Sequence, residues 1–190
     1  MRKIKFVIKY SSKGGEKMKI IEDLIEKNKN RPGSLNTCRY ITIHDTANKK
    51  KGANAAAHAK YIKSIDDLTS WHYTVDDSEI YRHIPDEEKS YHTSDKFANE
   101  NSIAIELCVN SNGDFEKTLK NAAELVKTLA EKHKIEEKNI RRHYDWTGKR
   151  CPESLMDGGW EKFLSMCESK EKSITIEELK KMGYTSIVLE

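Results

Sequence analysis

The sequence has no run of roughly 18 consecutive apolar residues, so none of its 190 positions belongs to a stretch that reads as a membrane-spanning helix. It has no CxxC pair either. Its four cysteines, Cys38, Cys108, Cys151 and Cys167, stand at long spacings that fit neither a disulfide framework nor a ribbon-type zinc site, and synthesis in a reducing cytoplasm is the expectation. A block of one charge is also missing. The 34 basic and 31 acidic residues are interspersed, and the net charge of +3 gives mild attraction to polyanions without the footprint of a nucleic-acid binder. With 36% hydrophobic and 34% charged residues and a mean hydropathy of −0.81, the chain is polar without being of disordered type, so its apolar residues must be well placed. Its length admits one domain of roughly 150 residues and a short appendage.

No export signal is legible. MRKIKFVIKY opens like one, but Lys5 and Lys9 interrupt its apolar stretch and no small-residue cleavage site follows. Two readings of this end stand side by side. If Lys13 to Met18 are encoded AAA GGA GGT GAA AAA ATG, a purine-rich ribosome-binding sequence precedes an initiator, so that Met18 is the native start and residues 1–17 are a translated leader. Otherwise KIKFVIKY is an ordinary first strand. The expected organisation is a leader or translated upstream region over 1–17, a main domain over 18–167, and a short helical appendage or the start of a lost C-terminal module over 168–190. In the appendage, TIEELKKMGY carries a Thr-x-x-Glu capping box and a Gly183 stop.

MKIIEDLIEKN reads as a short helix or extended arm ended by Arg31-Pro32-Gly33. In CRYITIHDTAN, Tyr40, Thr42 and His44 alternate with Ile41 and Ile43, which predicts a strand with His44 near its C-terminal end. The Ala-rich ANAAAHAKYIKS predicts a helix. SWHYTVDDSEIYRHIPD predicts a hairpin turning at Asp76, Asp77 and Ser78. NSIAIELCVN is the most strand-like stretch, apolar on both faces except at Glu106, and so reads as central. DFEKTLKNAAELVKTLAEKHKI predicts a helix capped by Asp114, GGWEKFLSMCES a closing helix, and RHYDWTGKRCP between them a loop.

Three residue types in this pattern point to chemistry. His44, His143 and Cys151 offer the imidazoles and thiolate that zinc takes, leaving one tetrahedral position open, although seven histidines and four cysteines allow many such triples. Glu106 is costly to bury unless paired or functional. It is either a general base with a desolvated carboxylate or one half of a salt bridge at the strand edge. Lys149, two positions before Cys151, shares its side of an extended backbone and is either an oxyanion-stabilising cation or surface decoration.

Taken in order, YITIHDTAN, SWHYTVDD, IYRHIPDEEKSYHTSD, SIAIELCVN and RRHYDWTGKRCPE resemble the zinc-dependent N-acetylmuramoyl-L-alanine amidases of the type 2 family. Bacteriophage lysozyme-type amidases and peptidoglycan recognition proteins share that fold. The resemblance runs from about Met18 to Phe163, and five blocks in the right order are more specific than any one of them. It implies an α/β fold with a central mixed sheet flanked by helices. It implies that His44, His143 and Cys151 bind Zn2+, that Glu106 assists the attacking water, and that Lys149 stabilises the transition state. The implied reaction is hydrolysis of the amide between N-acetylmuramic acid and L-alanine of the peptidoglycan stem. Trp71, His72 and His92 match positions that face the cleft in relatives and are expected to contact substrate.

Tyr91-His92 departs from the Trp-His of many relatives, and Glu153 follows Cys151-Pro152 where a small residue is common. His58, His83 and His133 are read as structural, the other cysteines as free thiols, and Asp145 or a backbone carbonyl as a candidate partner for a ligand histidine. The resemblance and the missing export signal together imply a phage endolysin, monomeric, waiting in the host cytoplasm and then acting on the wall without nucleic acid or membrane insertion. The alternatives are an autolysin exported by a non-classical route, and a non-catalytic peptidoglycan-binding module of the same fold. Such modules typically lose the cysteine ligand, which is present here.

Overall fold

A computed structural model of the chain describes residues 20–65 and 67–168. The expected leader, and the expected appendage beyond Glu168, lie outside the described residues.

The two alternating segments form the centre of a six-stranded mixed sheet. Strand β2 (Tyr40–Asp45) pairs in parallel with β5 (Ser102–Leu107), matching Ile41 to Ile103, Ile43 to Ile105 and His44 to Glu106. The hairpin strands β3 (Tyr73–Val75) and β4 (Ile80–Arg82) are antiparallel, and Asp76 Oδ1 closes their turn by accepting from the backbone N–H groups of Ser78 and Glu79, both at 2.7 Å. β1 (Ile20–Glu22) and β6 (Ile140–Arg142) take the two edges, giving the order β1-β4-β3-β5-β2-β6. MKIIEDLIEKN therefore resolves in favour of the extended arm, because Ile20–Glu22 is the edge strand paired with β4.

The helices connect this sheet. α1 (Ala55–Ser64) follows an Asn54 cap, and α3 (Phe115–His133) an Asp114 cap that accepts from Lys117 N–H at 3.0 Å. α5 (Gly159–Cys167) closes the described chain. Two short helices were not expected, one of them inside the stretch read as a loop. α2 (Lys96–Asn101) has too few residues to show a periodic pattern, and its Asp95 cap, accepting from Ala98 N–H at 2.8 Å, is its main local signal. α4 (His143–Thr147) lies inside RHYDWTGKRCP, where Asp145 accepts from the backbone N–H of Arg142 and Gly148, at φ 75°, stops the turn by donating to Tyr144 O.

Because strand side chains alternate, the sheet has two chemically distinct faces. One is apolar: Ile41, Ile43, Ile103, Ile105, Leu107 and Val75 pack against Leu119, Val126 and Leu129 of α3 and Phe163 of α5. The other carries Thr42, His44, Thr74, Ser102 and Glu106, with a smaller apolar cluster of Ile25, Ile62, Trp71, Ile84 and Ala104 beside them. Stability is concentrated on the first face and polar chemistry on the second.

A buried carboxylate ties the hairpin to α3. Asp86, 1% exposed, accepts from Tyr73 OH and pairs with Arg82 Nη2 at 3.0 Å through Oδ1. Its Oδ2 meets Lys132 Nζ at 2.7 Å and His133 Nε2 at 2.9 Å. Burial pushes its acidity towards the neutral form, but the hydrogen bonds from Lys132, Tyr73 and His133 and the charge of Arg82 outweigh it and hold the carboxyl well below the usual range. Asp86, Glu87 and His133 form a cluster of possible metal donors, yet these protein donors already fill both Asp86 oxygens.

Removing one partner from such a buried ionic network leaves the others uncompensated, so Asp86→Ala should lower the unfolding free energy by about 3–5 kcal/mol in urea titrations. As the folded value lies below the unfolded one, this stabilisation is complete above about pH 4 and is lost as the pH falls through the depressed value. A urea midpoint unchanged in the variant would contradict this assignment.

Candidate metal centre and cleft

The adjacency of β6 and β2 creates the site. His44 is the fifth residue of β2, and His143 opens α4 immediately after β6, which pairs with β2 through Ile43 and Arg142. Trp146 Nε1 donates to Thr42 Oγ1 at 2.9 Å, and Thr42 is in turn hydrogen-bonded to Ser102, so α4 is fastened to the polar face. Cys151 returns beside them because Tyr144 N–H donates to Cys151 O at 3.0 Å and Ser154 N–H donates to Asp45 Oδ2 at 2.8 Å.

The result is a convergence of three donor atoms. His44 Nδ1 lies 3.2 Å from His143 Nδ1 and 3.7 Å from Cys151 Sγ, and the three donors lie within 4.8 Å of one another with all three residues buried. Burial, with the neighbouring His92, His143 and Lys149, holds His44 well below the usual imidazole range. Burial and then Lys149 bring His143 to about 4. Both rings are therefore neutral, the form in which imidazole binds metal. Cys151 is pushed up to about 12, first by burial and then by Glu106, so its thiolate needs a nearby cation. Two neutral imidazoles and a thiol that needs positive charge fit a single zinc-like ion.

Glu106 stands next to His44 across the β2–β5 register. Its Oε2 is sealed from solvent and has no hydrogen-bond partner among the described residues. Burial, followed by Asp45, raises its carboxyl to about 8, and Lys149 opposes the shift. Lys149 itself is exposed and lines a cleft of about 740 Å³ together with His143, Thr147 and Gly148 on one side and Leu68, Tyr91 and His92 on the other. The salt-bridge reading of Glu106 finds no direct cationic contact among the described residues.

Of the three expected substrate contacts, only His92 lines the cleft. Trp71 is a core residue, 6% exposed, with its indole N–H donated to Thr74 Oγ1 at 2.7 Å. His72 is fully buried and acts as a cross-link: Ala104 N–H donates to its Nδ1 at 2.9 Å, and its Nε2 donates to Glu88 O at 2.8 Å. Both precede β3 and are packed beside the hairpin, Trp71 in the cluster of Ile25, Ile62, Ile84 and Ala104 and His72 against the backbone of Ala104 and Glu88, instead of in the cleft. Asp145 is also corrected, because it caps α4 and pairs with Arg142 at 2.8 Å, while the partner of a ligand histidine is His92, 2.9 Å from His44 Nε2. The cleft residues Leu68 and Thr69 carry no sequence signal that separates them from other loop residues, and nothing marked Thr147.

Residues 34–154 match the family model described as N-acetylmuramoyl-L-alanine amidase. The chain is 49% identical over 147 residues to the N-acetylmuramoyl-L-alanine amidase XlyA of Bacillus subtilis, covering 76% of this chain and 49% of XlyA. It thus spans about half the length of the curated relatives it matches. The structure of the catalytic domain of XlyA superposes with a TM-score of 0.77 at 47% identity, covering 80% of this chain and 100% of that one. A mutant endolysin from Bacillus subtilis gives a TM-score of 0.77 at 45% identity over 80% and 100% of the two chains.

The structural reading of His72 has a pH signature. Burial brings His72 and His83 to about 4, against an ordinary 6.5, so the unfolded chain binds protons in this interval that the folded chain does not. Their stabilisation is complete above about pH 6.5 and is lost on the way down to about 4, on the order of 3 kcal/mol for each residue. Urea midpoints that stay level between those pH values would refute the buried assignment.

Proposed function

The chain belongs to the N-acetylmuramoyl-L-alanine amidase family, and on that footing we propose that it is a peptidoglycan hydrolase of the endolysin type, cleaving the amide between N-acetylmuramic acid and the L-alanine of the stem peptide. The observation that carries the proposal is the convergence of His44, His143 and Cys151 beside the orphaned Oε2 of Glu106. The cleft beside them supplies room for a glycopeptide, with one wall bearing Lys149.

His44, His143 and Cys151 would hold zinc. When bound, the ion supplies a Lewis acid that polarises a carbonyl and acidifies water. Glu106 takes up the proton of the attacking water at its Oε2 and returns it to the leaving amine. Burial equips it for this by raising its proton affinity, while Lys149, and in the same sense the charge of a bound ion, keeps the carboxylate accessible. The Lys149 ammonium faces the charge that develops on the carbonyl oxygen, where a fixed cation is worth more than in water. His92 and Tyr91 form the opposite wall. The orphaned carboxylate beside an intact donor triple favours this reading over a binding module, which has no use for a general base.

The direct test is mass spectrometry of the fragments released from purified wall and defined muropeptides. Zinc-loaded protein should clear the wall and release stem peptides with a new N-terminal alanine; wall left turbid, with no new alanine terminus, would sink the proposal. Glu106→Gln should retain zinc and lose about 100- to 10,000-fold in kcat, whereas Cys151→Ser should lose zinc and activity together. Full turnover by Glu106→Gln would remove its assigned role.

A further inference from the structure

The proposed chemistry leaves one group unexplained, the imidazole behind His44. His44 turns Nδ1 towards His143 and Cys151 and Nε2 towards His92 Nδ1 at 2.9 Å. The other nitrogen of His92, Nε2, faces the backbone carbonyl of Ala98 at 3.4 Å. A carbonyl only accepts, so His92 Nε2 carries the hydrogen, and in a neutral ring Nδ1 is then the acceptor. His44 Nε2 must donate to it. The lone pair of His44 is thereby left on Nδ1, aimed at the other two donors.

We propose that His92 is a positioning residue for the metal site, which fixes the tautomer and direction of His44 through the chain Ala98 C=O, His92 and His44. The inference rests on the zinc reading above and deepens it. It also gives α2 a purpose. Ala98 supplies the carbonyl, and Asn99 clamps the segment by accepting from the backbone N–H groups of His92 and Thr93, both at 3.0 Å, while its Nδ2 donates to Thr93 O at 3.0 Å. With both ring nitrogens engaged, His92 has no polar ring atom left for substrate, although it forms part of the cleft wall. Partners of this kind hold a ligand ring in place and raise its basicity, and their loss typically weakens metal binding about 10- to 100-fold.

Zinc affinity, measured by competition with a chromophoric chelator on the full chain, separates the possibilities. His92→Ala should bind zinc about 10- to 100-fold more weakly with the melting temperature of the metal-free protein retained, and His92→Asn, whose Oδ1 stands near the place of Nδ1, should recover most of the loss. Affinity of His92→Ala within about twofold of wild type overturns the proposal, as does equal loss in His92→Asn, or a raised KM with zinc binding unchanged. Long-range nitrogen–proton NMR of the zinc-loaded wild type needs no variant: His44 should be protonated at Nε2 and metal-bound at Nδ1, and the reverse assignment overturns the proposal. Wild-type protein that binds no zinc overturns the metal reading itself, a result distinct from a role of His92 that fails while zinc binds.

Discussion

Parallel pairing of β2 with β5 in one register is the constraint on which the rest depends, because it sets His44 beside Glu106 on the same face of the sheet. A slip of one residue in either strand would turn that strand's polar side chain, His44 or Glu106, into the apolar layer under α3 and bring its isoleucine, Ile43 or Ile105, out to the cleft side. That alternative is blocked by the isoleucines, which are fully buried on the other face. The hydrophobic core therefore does more than stabilise the fold: by holding the register it aims the polar residues. The proposed chemistry sits near the C-terminal ends of the central parallel strands, where open α/β sheets place their ligands.

The electrostatics of the site follow from the same placement. A carboxylate, two imidazoles and a thiol are brought together with little solvent, and each is driven towards its neutral form by burial. The positive charge of Lys149 compensates in part at Glu106, and it stands exposed at the rim. Neutral imidazoles favour cation binding, while burial raises the proton affinities of Cys151 and Glu106, which a nearby positive charge would lower. A divalent ion at the triple satisfies both tendencies at once.

Much of this was legible in the sequence because it was written with period two. The alternation in YITIHD and SIAIEL identified the central strands and exposed Glu106 as the one acid among apolar neighbours. The hairpin and the long capped helix α3 were equally plain. Trp71 and His72 were expected at the cleft from the resemblance alone, and matching a position in relatives does not tell how that position is covered in this chain, where both are buried. Only the tertiary packing of Ile62, Ile84 and Ala104 shows that the area near the hairpin is closed. α2 and α4 were missed for a different reason: helices of six and five residues are stabilised by caps and by contacts with the sheet, with no hydrophobic stripe to announce them.

The sequence distances within the donor triple show which element assembles it. His143 and Cys151 lie 99 and 107 residues from His44, and closing loops of that length carries an entropy cost that one ion would otherwise have to offset. Here the sheet has already closed them. β6 pairs with β2, Trp146 reaches Thr42, and Asp45 receives the backbone of Ser154 just beyond Cys151, all through contacts that involve no donor atom of the triple. In a zinc finger the metal supplies the folding energy, but in this chain the fold itself brings the three candidate donors together. The three donors and the carboxylate beside them can therefore stand together without holding the fold, because the hydrophobic core and the Asp86 network carry the stability elsewhere.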